Sequence, residues 1–171
     1  SDYLDVSDRY LADSWEQDRK KLLNIIKQNY QKAPYFSDIY SIIQDCIMVS
    51  EINLFKFILN SLNKLNLYLD INTKVTSSTL DIDHTLKSQS KVIAICKNLN
   101  ASTYINAIGG QDLYNVQDFK NEGLDLKFVK SPPLNYKQYK NEFVPWLSVL
   151  DVVMFNKRQD IIDYTNKYTL I

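Results

Sequence analysis

Apolar residues recur at helical spacing through the first third of the chain. Three stretches have residues at this spacing on one face: Leu22, Ile25 and Ile26 with the polar Asn29; Ile39, Ile42, Ile43, Cys46 and Ile47; Phe55, Ile58, Leu59, Leu62 and Leu65. This period of three and four residues is typical of amphipathic helices. Ser14, followed three residues later by Gln17, has the spacing of a capping box and begins the first helix, which ends near Ala33 and Pro34. The pattern predicts three helices and a mainly helical part over 1–66.

After Leu67 the pattern changes to short β-branched or alternating runs separated by helices. We predict strands at 73–77, 102–106 and 124–129, and a helix with Val92, Ile95, Cys96 and Leu99 on one face. A short helix over 116–119 is capped by Asn115 and stops at Gly123. A strand, helix, strand, helix, strand order is typical of a parallel sheet.

The predicted fold class is therefore α/β. N-terminal helices precede a βαβαβ parallel-sheet unit with a three-layer, Rossmann-like topology, and C-terminal helices begin within 147–155. The length of 171 residues suits a single domain, 1–171, with a helical part over 1–66 and an α/β part over 67–171.

Composition excludes several classes of function. The chain has 20 basic and 20 acidic residues, so it lacks the excess of positive charge expected of a nucleic-acid-binding protein. No apolar run is long enough to span a membrane. Its three glycines, Gly109, Gly110 and Gly123, leave no room for a dinucleotide fingerprint or a Walker A loop.

The cysteines and the single histidine predict no metal site. Cys46 and Cys96 lie in apolar helical patterns and are interpreted as core thiols, because neither has the spacing of a zinc ligand. His84 is interpreted as a loop or helix-start residue, and Asp81 and Asp83 as part of a solvated loop. The N-terminus has no secretory signal, so we expect a cytoplasmic protein. No cofactor is identified.

One loop that follows a predicted strand holds two of the three glycines. It runs from Asn106 through Gly109 and Gly110 to Tyr114. Adjacent glycines allow positive φ and a close approach of the backbone to a ligand anion, and such loops lie at the ligand-binding edge of a parallel sheet. Asn106, Gln111, Asp112 and Tyr114 would surround that ligand. The alternative interpretation is a tight turn.

A second candidate region is the irregular segment 131–143. Its Tyr136, Gln138 and Tyr139 are suited to stacking on a sugar or base and to hydrogen bonding with it, although an ordinary surface loop explains the segment equally well. Asp151 lies amid Val149, Leu150, Val152, Val153 and Met154. It must be paired, at a cap or exposed, because an unpaired buried carboxylate is costly.

Four ordered blocks of sequence resemble the WbqC-like proteins. Residues 30–36, YQKAPYF, resemble the family's Y-x-K-A-P-Y-F segment, and 95–114 resemble its C-K-x-L-x-A-x-x-Y-[IL]-x-G-x-G-G stretch. The C-terminal blocks are Tyr136-x-Gln138, then Phe143-x-Pro145-x-Leu147-Ser148-x-x-Asp151, then Phe155-Asn156. The chain lacks the family's opening Q-P-Y-F-F-P-type segment, and Ala107 replaces the first glycine of its Y-[IL]-x-G motif.

The resemblance implies a part in making surface polysaccharides such as O-antigen. The family's motif positions fall on two groups of residues in this chain. Tyr104, Gly109, Gly110 and Tyr114 are assigned to a ligand loop, and the second group is Gln138, Ser148 and Asp151. The last two are assigned to capping and anchoring the final helix.

Two functional hypotheses follow. The first is a transferase that moves an acyl or aminoacyl group to a nucleotide-activated amino sugar, with Tyr136 and Gln138 holding the acceptor. No catalytic triad is visible in the sequence to support it. The second is a scaffold of a polysaccharide assembly, which binds a partner or a second copy of itself through Tyr139, Phe143 and Trp146.

Overall fold

The computed structural model of the chain describes residues 5–77, 80–83, 85–140 and 142–171. Its contacts divide it into two compact units, Ser1–Thr73 with Leu134–Thr165, and Lys74–Pro133 with Asn166–Ile171. We call the first the helical unit and the second the sheet unit. Each is built from two separate stretches of sequence.

The described residues form a mixed α/β structure. In the helical unit the helices are α1 (Trp15–Tyr30), α2 (Phe36–Ile47) and α3 (Leu54–Tyr68); in the sheet unit α4 (Ser88–Asn98) and α5 (Val116–Asn121); and in the helical unit again α6 (Val149–Phe155) and α7 (Arg158–Thr165). The strands, all in the sheet unit, are β1 (Thr103–Ala107), β2 (Asp125–Lys130) and β3 (Thr169–Leu170). The predicted N-terminal and C-terminal helices are thus confirmed.

The predicted capping box at the start of α1 is wrong. Ser14 has helical backbone angles, φ −72° and ψ −8°, and its side chain makes no capping hydrogen bond. An N-cap residue needs an extended backbone for its hydroxyl oxygen to accept from the amides of the first turn. The amides of Gln17 and Asp18 instead donate to the carbonyl oxygen of Ser14.

The core of the helical unit lies between α1, α2, α6 and α7. Its buried apolar side chains are Leu23, Ile26, Ala33, Ile39, Ile47, Leu69, Val153, Met154 and Ile161. On α1 the buried positions are Leu23 and Ile26, whereas Leu22 and Ile25 are exposed. The buried face of α1 is therefore rotated from the predicted one.

The sheet has three strands, as predicted, but it is mixed rather than parallel. β1 and β2 are parallel, with Thr103 opposite Asp125 and Ala107 opposite Val129. β3 pairs antiparallel with β2, which places Thr169 opposite Lys130. The order β1-β2-β3 makes β2 the central strand.

The predicted strand at 73–77 is wrong, and with it the complete βαβαβ unit. These residues form no strand and are exposed. Strands of a parallel sheet in an α/β fold are covered on both faces and need near-continuous apolar residues. This segment offers one aliphatic side chain, Val75, which is 48% exposed.

The crossover between the parallel strands follows the sequence prediction. Asn115 caps α5, because its side-chain oxygen accepts from the amides of Gln117 and Asp118. Gly123 adopts φ +75° just after the helix, as a C-terminal glycine does. Phe119 is fully buried against Cys96 and Leu124 in the core of the sheet unit.

Candidate functional site

The predicted site residues fall into two groups in different units. Tyr136, Gln138, Ser148 and Asp151 belong to the helical unit. The residues from Tyr104 to Tyr114 belong to the sheet unit. Each group is described in its own unit below.

Ser148 and Asp151 both lie at the start of α6. Ser148 is the N-cap, and its hydroxyl oxygen accepts from the amide of Leu150 at 3.3 Å. Asp151 lies in the first turn and is only 4% exposed. The partial positive charge at a helix N-terminus favours a carboxylate in this turn.

The buried carboxylate of Asp151 accepts three hydrogen bonds. The hydroxyl of Tyr30 donates to Oδ2 at 3.0 Å. The hydroxyl of Tyr136 and the side-chain amide of Gln138 both donate to Oδ1, at 2.5 Å and 3.0 Å. The sequence left open whether Asp151 is paired, at a cap or exposed. In the structure it is buried, and its carboxylate is paired with three hydrogen-bond donors. We call Asp151, Tyr30, Tyr136 and Gln138 the Asp151 cluster.

Gln138 also fixes the irregular segment that precedes α6. Its Oε1 accepts from the amide of Val144 at 2.9 Å, and its Nε2 donates to the carbonyl oxygen of Val144 at 3.1 Å. One side chain thus connects the backbone at Val144 to the carboxylate of Asp151. The position of this segment depends on the same cluster.

Both tyrosines of the cluster stay protonated at neutral pH. Burial, and after it the hydrogen bond to Asp151, raises the pKa of Tyr30 to about 12. The same causes in the same order raise the pKa of Tyr136 to about 12. Both phenols are therefore hydrogen-bond donors to the carboxylate.

A pocket of about 330 Å³ opens beside the Asp151 cluster, and we call it the Asp151 pocket. Its lining is Ile25, Ile26, Asn29, Tyr30, Gln138, Tyr139, Glu142, Val144, Leu147, Asp151 and Phe155. The rings of Tyr139 and Phe155 meet edge to face at 4.8 Å, and the hydroxyl of Tyr139 donates to the carbonyl oxygen of Asn29 at 2.8 Å. Apolar and aromatic walls with a few convergent polar groups are typical of small-molecule sites.

The charged side chains that line this pocket are all acidic. Glu142 and Asp151 are its two carboxylates, and no lysine, arginine or histidine belongs to the lining within the described part of the chain. Such a site attracts a cationic group and repels phosphate.

Tyr30 is the cluster residue that was not singled out from the sequence. It was visible only as the first residue of the block YQKAPYF. Its spacing could have found it, because Tyr30 follows the buried Ile26 by four residues and so shares its face of α1.

In the sheet unit, Tyr104 and Tyr114 pack against the core. Their hydroxyls are 3.3 Å apart, and both rings contact Phe119, with centroids at 5.7 and 5.8 Å. Burial, and next the hydrogen bond to Tyr114, raises the pKa of Tyr104 to about 12. In this geometry both side chains stabilise the fold, and their assignment to a ligand stays a prediction.

The glycine loop has a different backbone from the one expected. Gly109 and Gly110 lie in a 3₁₀ helix, Ile108–Leu113, and the expectation of positive φ there is wrong, since Gly123 is the one glycine with positive φ. A Cβ on Gly110 would lie 2.6 Å from Nδ2 of Asn106, so a larger residue at this position requires the Asn106 side chain to move. The Oδ1 of Asn106 accepts from the amide of Ala107 at 2.8 Å.

Gln111 and Asp112, the other polar residues of this loop, are exposed. Their predicted contact with a ligand stays a prediction.

The remaining candidates are the two cysteines, Asp83 and His84. Both cysteines are free thiols; Cys96 is buried and Cys46 half-buried. Asp83 accepts from the amide and hydroxyl of Thr85 in a turn, and His84 lies outside the described residues. Nowhere in the described ranges do three or more His, Cys, Asp or Glu side chains cluster as metal ligands would.

Within the part of the chain that the structure describes, no helix is both long and apolar enough to cross a membrane.

The model of the WbqC-like protein family matches residues 1–163 of the 171. Neither a curated protein nor a solved structure matches the chain.

Proposed function

The chain belongs to the WbqC-like protein family, and we propose that it is an enzyme of surface polysaccharide biosynthesis that binds an amino sugar in the Asp151 pocket. The proposed reaction is acyl or aminoacyl transfer to the amine of a nucleotide-activated amino sugar. The observation that carries this proposal is the buried carboxylate of Asp151, held by three donors beside a pocket.

The size of the pocket favours a small ligand. A volume of about 330 Å³ lies near the lower end of the roughly 300 to 1,000 Å³ typical of ligand pockets. It suits one sugar ring better than a whole nucleotide-activated sugar. The rings of Tyr139 and Phe155 line the pocket and provide an apolar wall against which such a sugar ring can pack.

The charge of the pocket selects the part of the ligand that enters. Two carboxylates without a lysine or arginine favour a protonated amine over a phosphate. Within the proposed substrate class, the amine-bearing sugar therefore fits this pocket, and the diphosphate does not.

Asp151 has the remaining capacity to accept a proton from that amine. Its Oδ2 takes one hydrogen bond, from Tyr30, whereas Oδ1 takes two. In the proposed transfer the amine nitrogen forms a bond to the acyl carbonyl carbon while the bond from that carbon to the donor's leaving group breaks. The electron pair of that bond stays on the leaving group. The bound ammonium gives one proton to Asp151 before the attack, which frees the nitrogen lone pair, and its second proton leaves with the leaving group as the amide forms.

Thermal unfolding with three sugars tests the proposal. Glucosamine at about 100 times its dissociation constant is expected to stabilise the protein by roughly 2.7 kcal/mol, which is a shift of several degrees. N-acetylglucosamine and glucose, which lack the charged amine, are expected to give little or no shift.

Two variants make this test specific. Asp151→Asn keeps the shape of the side chain and removes its charge, so the glucosamine shift is expected to disappear. Asp163→Asn changes an exposed carboxylate on α7, and should leave the shift intact. No shift with any sugar, or an equal shift in Asp151→Asn, contradicts the proposal.

One observation favours the alternative, a non-catalytic scaffold. Trp146 is 92% exposed and has φ +61°, a conformation that costs a bulky residue energy. Tyr139 and Phe143 pack within the unit, against Phe155 and Tyr136. Tyr139 is 39% exposed, so Trp146 is the more accessible of these two predicted anchors.

Self-association of the protein tests this alternative. If Trp146 is an anchor between two copies, light scattering at high concentration will show a dimer that Trp146→Ala abolishes. Leu67→Ala, which truncates another exposed apolar side chain of the helical unit, should leave the dimer unchanged. A monomer at every concentration contradicts homodimerisation.

A further inference from the structure

A second hollow lies in the sheet unit, where β2 and β3 end their pairing. Lys130 and Thr169 form the last pair, and beyond it the segment 131–133 diverges from the segment 167–168. The two segments enclose an open hollow of about 500 Å³. It lies at the carboxyl end of β2, the edge where parallel strands of α/β proteins carry their ligands.

Positive charge distinguishes this hollow from the Asp151 pocket. Lys130 and Lys167 line it, and no carboxylate does so in the described part of the chain. None of the salt bridges between described residues involves either lysine. In a chain with equal numbers of acidic and basic residues, two unpaired ammonium groups at one hollow are a local excess that favours an anion.

The antiparallel strand pair holds together the two backbone segments that carry these lysines. The amide of Phe128 donates to the carbonyl oxygen of Ile171 at 2.8 Å. The amide of Ile171 donates to the carbonyl oxygen of Phe128 at 3.0 Å. The C-terminal residues are therefore held beside β2, and Lys167 stays on the opposite side of the hollow from the segment that follows Lys130.

The hollow also offers a ring and hydroxyl groups. Tyr168 is 51% exposed and lines the hollow opposite Pro132 and Pro133. Ser131 and Thr169 contribute hydroxyls. An accessible aromatic ring beside two cations is the combination with which proteins bind a base together with its phosphates.

We propose that this hollow binds a nucleoside diphosphate, with the phosphates held by Lys130 and Lys167 and the base stacked on Tyr168. We call it the Lys130 site. It is argued from the sheet unit alone and does not rest on the amino-sugar pocket, so either proposal can fail without the other.

Calorimetric titration of the whole chain with UDP and with pyrophosphate tests the Lys130 site. Both are expected to bind, and both should weaken as salt is raised, because the contacts to the ammonium groups are screened. The double variant Lys130→Gln, Lys167→Gln is expected to weaken both by at least about tenfold. Lys127→Gln, an exposed lysine of the same strand outside the hollow, is the matched control and should bind as the wild type does.

Tyr168→Ala separates a nucleotide site from a simple phosphate site. Loss of the stacking contact between the Tyr168 ring and the base is expected to weaken UDP binding by about 5- to 150-fold. Pyrophosphate has no base, so its binding should be unchanged. The changed side chains are exposed, so thermal unfolding can verify that each variant folds.

Three results would overturn the proposal. The first is no UDP binding at millimolar concentration. The second is an equal loss in Lys127→Gln and in the double variant, which would indicate general attraction to a charged surface. The third is unchanged UDP affinity in Tyr168→Ala, which would reduce the site to one for phosphate alone.

Discussion

The hydroxyl of Tyr136 donates to Oδ1 of Asp151 at 2.5 Å, across fifteen residues of sequence that include an irregular segment and the start of α6. The bond joins two blocks of the family pattern, and Tyr30 adds a third block from the end of α1. Motif residues that are far apart in the sequence therefore meet at one carboxylate. The amino-sugar proposal depends on this convergence.

Removing the Tyr136 hydroxyl should destabilise the helical unit measurably. Tyr136→Phe deletes a bond to a buried charged group, which is worth about 1.5 to 3 kcal/mol. Tyr139→Phe removes a bond to the neutral carbonyl of Asn29, and is expected to cost less, about 0.5 to 1.5 kcal/mol. Urea unfolding followed by circular dichroism measures both, and an equal or larger cost in Tyr139→Phe would contradict the role assigned to the Asp151 cluster.

Stability should fall steeply at alkaline pH because of the two tyrosines of the Asp151 cluster, Tyr30 and Tyr136. The pKa of Tyr30 and of Tyr136 is about 12 in the folded chain, against about 10 when unfolded. Between these values the unfolded chain binds fewer protons than the folded one, so the free energy of unfolding decreases as pH rises. The contribution of these two tyrosines to the free energy of unfolding is complete below pH 10 and is lost as the pH rises through 12.

The double variant Tyr30→Phe, Tyr136→Phe isolates this effect. Its free energy of unfolding is lower at neutral pH, but it should decline less between pH 10 and 12 than that of the wild type. Urea titrations at a series of pH values measure the difference. Identical slopes in the two proteins would show that these phenols are not the protonated donors described here.

The two neighbouring glycines should respond differently to alanine. Gly109 has no atom within 4 Å of an added Cβ, so Gly109→Ala is expected to stabilise the protein by about 0.4 to 1 kcal/mol through the unfolded state. Gly110→Ala must displace the side chain of Asn106 and should lose this gain. Thermal unfolding of the pair measures the contrast, and an equal gain in both variants would contradict the packing of Asn106 over Gly110.

Local patterns predicted the elements that are stabilised locally. Helical periodicity located α1, α2 and α3, and Asn115 with Gly123 marked the bounds of α5, because caps and amphipathic faces are properties of neighbouring residues. The capping box at Ser14 failed because spacing does not fix backbone angles. Strand 73–77 failed because β-branched residues alone do not supply the burial that a parallel sheet requires.

The site could be predicted only in part for a similar reason. Gln138 and Asp151 were singled out individually, but their shared contact depends on packing between α1, the irregular segment and α6. Nothing in the sequence gives the distance between such residues. Tyr30 was missed because the helical face drawn for α1 ended at Asn29. That face included Leu22 and Ile25, which are exposed, and left out Leu23, which is buried.

The most direct test of the central claim is a nuclear magnetic resonance titration of the ¹⁵N-labelled protein with glucosamine. If the Asp151 pocket binds the sugar amine, the backbone amides of Asn29, Gln138 and Asp151 will shift in a saturable manner, and Asp151→Asn will abolish the shifts. Shifts confined to the sheet unit, or none at near-saturating sugar, would contradict the account.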